Sequence, residues 1–219
     1  YCADKSLEVS WCPRGTYQNR SRMGALTSCR SCPAGFYCGE GEVHPKYCAD
    51  PQNRAGYYCP EGSGNMTICD AGHFCPPGSK STKPCPSSYY CPQGSIYPKL
   101  CFNGTYCPRT SHIYKFCPLG FHGSASNTNN SFATVGEACS KCSPGKYRSI
   151  ADSFTCLDCE PGYVCLGATP AQYPSDESSE KGYICPAGNY CPAGSSKEIP
   201  CPVGHFNPDV GASNISSCK

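Results

Sequence analysis

The chain has 219 residues, of which 23 are cysteine, 22 proline and 23 glycine, and it carries a net charge of +2. Cysteine above a tenth of the residues marks a disulfide scaffold, and thiols in that number stay oxidised only outside a reducing cytosol. The small charge, without a basic run, argues against nucleic acid or anionic membrane as a partner, and no apolar stretch approaches the ~20 residues of a membrane span.

Large aliphatic side chains are scarce, so no single hydrophobic core is expected, and covalent cross-links in small units must hold the shape. The chain opens Tyr1-Cys2, with neither an initiator Met nor a signal peptide. That predicts a processed or excerpted product, with any anchor outside it.

Residues 1–48 read as a long loop followed by a short module. Cys12-Pro13-Arg14-Gly15-Thr16-Tyr17 leads to Cys29, and Cys32 then leads through Gly35-Phe36-Tyr37 to Cys38. Trp11, beside Cys12, reads as a cap on this first module. Residues 49–117 hold the most regular signal: Cys69, Cys85, Cys101 and Cys117 are 16 residues apart, and Cys59, Cys75, Cys91 and Cys107 keep the same period. Internal repetition at a fixed spacing is the mark of an array of small stacked units. Each unit contains Cys-Pro-x-Gly-Ser, as at Cys75–Ser79 and Cys91–Ser95, and a short aromatic segment before a cysteine, as in Gly56-Tyr57-Tyr58 or Gly72-His73-Phe74. Proline fixes φ and the glycine takes φ > 0, so Cys-Pro-x-Gly is a turn. The aromatic is the one large apolar group per unit, expected to pack over a disulfide and cover the next unit's backbone.

Residues 118–165 read as a second long-loop pair, in which Cys117 to Cys139 and Cys142 to Cys156 are variants of the first long loop and Cys159 to Cys165 is a short segment. Residues 166–184 read as a loose loop, because 168–181 is rich in Ser, Glu and Pro. Residues 185–219 give a short module, Cys185 to Cys191, and a terminal long loop from Cys201 to Cys218. Nothing keeps a 3.6-residue period for three turns. The predicted fold class is therefore small disulfide-rich repeats: an elongated array of short two-stranded β and turn modules, with little or no helix.

Cys32-Pro33-Ala34-Gly35-Phe36-Tyr37-Cys38 and Cys185-Pro186-Ala187-Gly188-Asn189-Tyr190-Cys191 resemble the ephrin-receptor-like cysteine-rich repeat. The long loops, such as Cys12 to Cys29 followed by Cys32, resemble the first loop of tumour-necrosis-factor-receptor modules. The resemblance covers Cys12 to Cys218 and implies an elongated ectodomain of the kind abundant in surface proteins of ciliates, flagellates and other protists. The uninterrupted 16-residue run from Cys59 to Cys117 is more regular than the receptor modules.

Two local disulfide schemes stay open for that run. In one, each Cys-Pro-x-Gly-Ser loop closes on itself, as Cys59–Cys69, Cys75–Cys85 and Cys91–Cys101. In the other, bonds interlace one repeat apart, as Cys69–Cys85 with Cys75–Cys91. Closure of the long loops as Cys12–Cys29, Cys142–Cys156 and Cys201–Cys218 is expected under either. An odd number of cysteines leaves one over. Cys2, ahead of the first module, is the candidate for an unpaired or interchain thiol.

Five sequons fit N-glycosylation: Asn19, Asn65, Asn103, Asn129 and Asn214, with Asn189-Tyr190-Cys191 a weaker form whose cysteine is expected to be bonded. They point to the secretory pathway and an extracellular or cell-surface location. Cys139-x2-Cys142 and Cys156-x2-Cys159 also fit a four-cysteine zinc site, but they share the disulfide-type repeat, so no metal and no cofactor is expected. His44, His73, His112, His122 and His205 lack ligand or triad spacing, and His73 and His205 fill the aromatic slot of their repeats. Asp158 and Glu160 are loop neighbours rather than a spaced acid/base pair. No catalytic residue is identified, and an enzyme is not expected. The expected role is an extracellular structural glycoprotein, a rod that associates head to tail with itself or with other surface glycoproteins in a coat, filament or appendage. The alternative is a ligand-binding or adhesion ectodomain of a membrane-anchored receptor.

Overall fold

The computed structural model describes residues 11–19, 28–124, 132–150 and 154–219. Ten two-stranded antiparallel sheets account for the strands among these residues. Numbered along the chain, the hairpins are 1, Thr16–Tyr17 with Arg30–Ser31; 2, Phe36–Tyr37 with Lys46–Tyr47; and 3, Tyr57–Tyr58 with Thr67–Ile68. Hairpin 4 pairs His73–Phe74 with Lys83–Pro84, hairpin 5 Tyr89–Tyr90 with Lys99–Leu100, and hairpin 6 Thr105–Tyr106 with Lys115–Phe116. Hairpin 7 pairs Phe121–Gly123 with Cys139–Lys141, and hairpin 8 pairs Lys146–Tyr147 with Leu157–Asp158. Hairpin 9 pairs Tyr163–Cys165 with Gly182–Ile184, and hairpin 10 pairs Asn189–Tyr190 with Ile199–Pro200. Among the described residues the named helical elements are one turn at Val135–Ala138 and a 3-10 turn at Ile215–Ser217. The small disulfide-rich repeat fold expected from the sequence is the fold observed.

Each hairpin is opened and closed by the residues the repeat supplies. In nine of the ten hairpins the residue ahead of the first strand is a glycine that accepts a hydrogen bond from the cysteine following the second strand, and in hairpin 5 it is Ser88, at positive φ. Cys48 donates to Gly35 at 3.0 Å, Cys85 to Gly72 at 2.9 Å, Cys159 to Gly145 at 2.8 Å and Cys201 to Gly188 at 2.9 Å. The serine of Cys-Pro-x-Gly-Ser closes its own turn: the hydroxyls of Ser63, Ser79, Ser95 and Ser195 each donate to the proline carbonyl three residues back at 2.6 Å, as does Ser111 in the variant Cys107-Pro108-Arg109-Thr110-Ser111. The same carbonyl also accepts the serine amide, as Pro76 does from Ser79 at 3.1 Å, so the hydroxyl adds a second local bond to the turn.

Successive modules are joined by backbone hydrogen bonds that reach one and two modules ahead. Gly35 of hairpin 2 donates to the Cys59 carbonyl of hairpin 3, and Gly78, in the loop of hairpin 4, donates to Cys48 at the end of hairpin 2, both at 2.8 Å. The same offset recurs with Gly94 to Cys69 and, further along, Gly194 to Cys159. Side chains follow the same spacing: a Cβ on Gly94 would touch Ile68, and one on Gly211 would touch Ile184. The chain divides into two compact units, Tyr1–Leu100 with Pro108–Ile113 and Cys101–Cys107 with Tyr114–Lys219. This division falls inside the 49–117 block, not at its edges.

The interior is sulfur. Phe132, Ala138, Tyr147, Val164 and Pro174 aside, the buried apolar side chains among the described residues are all half-cystines. Tyr147 packs on Cys159 and Cys165, and Tyr183 and Leu166 pack on Val164, Cys185 and Cys191. Tyr147 over Cys159–Cys165 is the aromatic-on-disulfide contact that the repeat called for.

The close backbone approach explains one glycine directly. Gly72 sits at φ +80°, and a Cβ there would lie 2.5 Å from the Thr110 carbonyl oxygen; Gly188 sits at φ +81° with nothing within 4 Å. Both alanine variants bear the left-handed strain of about 1–2 kcal/mol, but only Gly72→Ala must also displace backbone. The expected outcome is a clearly lower urea midpoint for Gly72→Ala than for Gly188→Ala. Equal midpoints would mean the module contact at Gly72 is not formed.

Candidate functional site

Among the described residues no cleft gathers those singled out in the sequence. What the structure builds is a succession of disulfides of two kinds, short ones that join neighbouring hairpins and longer ones that close the long loops. Eleven bonds take up every cysteine from Cys12 to Cys218, while Cys2 lies outside the described residues. The long loops pair as Cys12–Cys29, Cys117–Cys139, Cys142–Cys156 and Cys201–Cys218.

The regular run pairs in neither of the two ways left open. Its bonds are Cys48–Cys59, Cys69–Cys75, Cys85–Cys91 and Cys101–Cys107. They close the aromatic segment instead of the Cys-Pro-x-Gly-Ser loop, so Cys59–Cys69, Cys75–Cys85, Cys91–Cys101, Cys69–Cys85 and Cys75–Cys91 are all replaced. Hairpin register is the reason. His73 faces Pro84 and Phe74 faces Lys83, so Cys75 continues toward the hairpin tip while Cys85 lies beside Gly72 at the open end. The two sulfurs of a Cys-Pro-x-Gly-Ser interval therefore stand at opposite ends of their hairpin. The six-residue step from Cys85 to Cys91 is a turn that brings the Cα atoms to 5.9 Å. Each such bond ties the end of one hairpin to the first strand of the next.

The position that follows each first strand has a second form that sequence reading missed. In the modules with long loops it holds no cysteine: Gly15-Thr16-Tyr17 is followed by Gln18, Gly145-Lys146-Tyr147 by Arg148, and Gly204-His205-Phe206 by Asn207. Arg148 and Asn207 are each 1% exposed. Their side chains replace the covalent bond with hydrogen bonds. Arg148 Nη1 donates to the carbonyls of Cys117 and Pro118 at 3.1 Å and also to Phe121. Asn207 Nδ2 donates to the carbonyls of Asn189 and Asp209 at 3.0 Å, while its Oδ1 accepts from the Asp209 amide at 3.1 Å. Gln18 Nε2 donates to Ser28 at 2.7 Å. The backbone pattern is unchanged: Gly120 donates to Arg148 and Gly188 to Asn207, as Gly35 does to Cys59. The signal was present, as the aromatic segment with its cysteine replaced by a polar residue.

Cys139, Cys142, Cys156 and Cys159 are spread over three separate disulfides, with Cys117, with each other and with Cys165. The four sulfurs that could have formed a zinc site are thus committed to different partners. Among the described residues no group of three metal-ligating side chains occurs. His73 lies in the first strand of hairpin 4, as its aromatic slot requires, and His122 Nδ1 meets the Gly123 carbonyl at 2.7 Å.

Shifted ionisations arise from local turns and packing. The Ser178 hydroxyl and amide, with the Ser179 amide, hold Asp176 down at about 2. The Arg54 amide, donating at 2.7 Å, lowers Asp50. These two carboxylates anchor loops: the 168–181 stretch, expected to be loose, is fixed by Asp176, by Thr169 donating to Lys181 at 2.8 Å and by the Ser175 amide donating to Glu180. Its Ser, Asp and Pro content encodes local turns, not disorder.

Burial, then the hydrogen bond to Glu198, pushes Tyr183 up to about 12, and the same bond lowers Glu198. The folded state favours neutral Tyr183. Its stabilising contribution is thus complete below the ordinary value near 10 and is lost as pH rises toward 12. Absorbance titration is expected to show Tyr183 among the tyrosines that ionise late, and Glu198→Gln is expected to move it part of the way back. Burial accounts for the remainder. An unchanged titration in the variant would remove the pair.

Three sequon asparagines, Asn19, Asn65 and Asn103, are exposed, as is Asn214, whose Oδ1 accepts from the Ser216 amide at 3.1 Å. Asn129 lies outside the described residues. Cys191, the third residue of the weak Asn189 form, is bonded to Cys185. No helix among the described residues is long and apolar enough to cross a membrane. No protein-family model and no curated protein matches the chain.

Proposed function

We propose that the protein is an extracellular structural glycoprotein: a disulfide-stapled module array that serves as a subunit of a surface coat, filament or appendage. The observation that carries this reading is the two-module offset of the backbone ladder, Gly78 to Cys48, Gly94 to Cys69 and Gly194 to Cys159. An array built on that offset can be continued by another module of the same kind through the same hydrogen bonds. Stacked repeats with such edges associate end to end unless polar caps prevent it, and heterologous contacts that do not close into rings give filaments. Disulfides as closely buried as Cys69–Cys75 and Cys85–Cys91 suit a protein that must hold its shape outside the cell, where an oxidising medium preserves them. The sequons and the ephrin-receptor-like character of Cys32–Cys38 and Cys185–Cys191 fit the same place.

The test is sedimentation velocity and negative-stain imaging of the secreted, oxidised chain across a concentration series. Slender particles that lengthen with concentration are expected. Dispersed monomers at every concentration, together with saturable binding of one protein ligand, would favour the receptor ectodomain instead.

A further inference from the structure

The Asn103-Gly104-Thr105 sequon lies wholly inside the loop closed by Cys101–Cys107, two cysteines six residues apart. Folding consumes the part of it that a glycosyltransferase must reach. Thr105 is 0% exposed. Its Oγ1 donates to the Phe102 carbonyl at 2.7 Å and accepts from the Phe102 amide at 3.1 Å. The Thr105 amide donates to the same carbonyl at 3.0 Å, and Gly104 is held at φ +84°. The hydroxyl that defines the sequon is therefore buried and occupied on both sides, although Asn103 itself is exposed. In the two other sequons described throughout, the third residue stays open: Thr67, for Asn65, and Ser216, for Asn214, are both exposed.

We propose that the Cys101–Cys107 bond is a redox gate on glycosylation of Asn103, which accepts an oligosaccharide only on the chain in which this bond has not yet closed. This rests on the secretory location argued above. In the transfer, Asn103 Nδ2 forms a bond to the anomeric carbon of a lipid-pyrophosphate-linked oligosaccharide. The bond from that carbon to the pyrophosphate oxygen breaks, the lipid pyrophosphate leaves, and the amide proton passes to a base on the transferase. In the competing step the thiols of Cys101 and Cys107 lose two protons and two electrons to the disulfide of a secretory-pathway oxidoreductase, which is reduced to its dithiol. The step that comes first decides the state of the site. Closure sets Thr105 into its hydrogen bonds and ends access, whereas a glycan on exposed Asn103 still permits closure. Asn65 and Asn214 carry no such gate and are occupied independently of it.

The experiment compares the wild-type chain with Cys101→Ala/Cys107→Ala in glycosylating cells, reading occupancy at each sequon from the Asn-to-Asp conversion left by glycan removal in heavy-oxygen water. Asn103 occupancy is expected to rise several-fold relative to Asn65 and Asn214. A second arm avoids folding of the variant altogether: purified transferase acts on the oxidised chain and on the reduced, alkylated chain. Asn103 is expected to be refractory in the first and modified in the second, with Asn65 modified in both. An unchanged ratio between sites, or equal transfer to Asn103 in both arms, overturns the gate while leaving the secretory reading intact. Empty sequons throughout, on a secretion-targeted chain with reduced cysteines, overturn that reading as well.

Discussion

Arg148→Met is expected to destabilise the protein by about 3–5 kcal/mol, because buried carbonyls that lose a charged donor cost about 1–3 kcal/mol each. The guanidinium holds Cys117, Pro118 and Phe121 at once, and methionine fills the volume without a donor. The damage should stay near its source, since modules in a stack interact only with near neighbours. Hydrogen exchange is the measurement that sees this. The Cys142 amide, bonded to Gly120, should lose protection, while the Cys201 amide, bonded to Gly188, keeps it. Arg148→Lys should recover only part of the loss, because an ammonium is more strongly hydrated and gives up its charge readily when buried. Uniform loss of protection across both amides would show that the chain unfolds as one unit.

The second large effect is expected from removing disulfides in pairs. Loop-closure entropy assigns about 2.4 kcal/mol to a six-residue separation and about 3.4 kcal/mol to one of 22 residues. Cys85→Ala/Cys91→Ala and Cys117→Ala/Cys139→Ala represent these two cases. Both remove buried sulfur, and Cys85 and Cys91 are 0% exposed, so a cavity contribution adds to each. Urea midpoints should fall in both variants, further in the second. If neither moves, the shape is held by something other than its cross-links.

The turn chemistry was the most legible part of the sequence. Cys-Pro-x-Gly-Ser specifies a left-handed glycine and a serine that returns to the proline carbonyl, and every intact copy, from Ser63 to Ser195, does so. These are local signals, and local physics decides them. Pairing was not legible in the same way. Whether Cys75 meets Cys69 or Cys85 depends on which residue of each short strand faces which, and a two-residue strand leaves no alternation from which to read register. Arg148 and Asn207 were overlooked for a related reason. A lone arginine or asparagine in a loop reads as solvated, and only superposition of the Gly-aromatic segments reveals that these residues occupy the cysteine's place. The 168–181 loop was misread because Ser, Asp and Pro serve both disorder and tight turns, and the choice rests on contacts such as Thr169 with Lys181.

Trypsin applied without reductant tests the central claim most directly. Lys80 and Lys99 are exposed, and the Lys83-Pro84 bond resists cleavage, so residues 81–99 form one fragment. Cys85–Cys91 closes within it. The account predicts that this fragment is released alone, two hydrogens lighter than its reduced form. Recovery of residues 81–99 joined to the fragment bearing Cys69 and Cys75, or to the one bearing Cys101, would contradict the ladder of hairpins tied end to start.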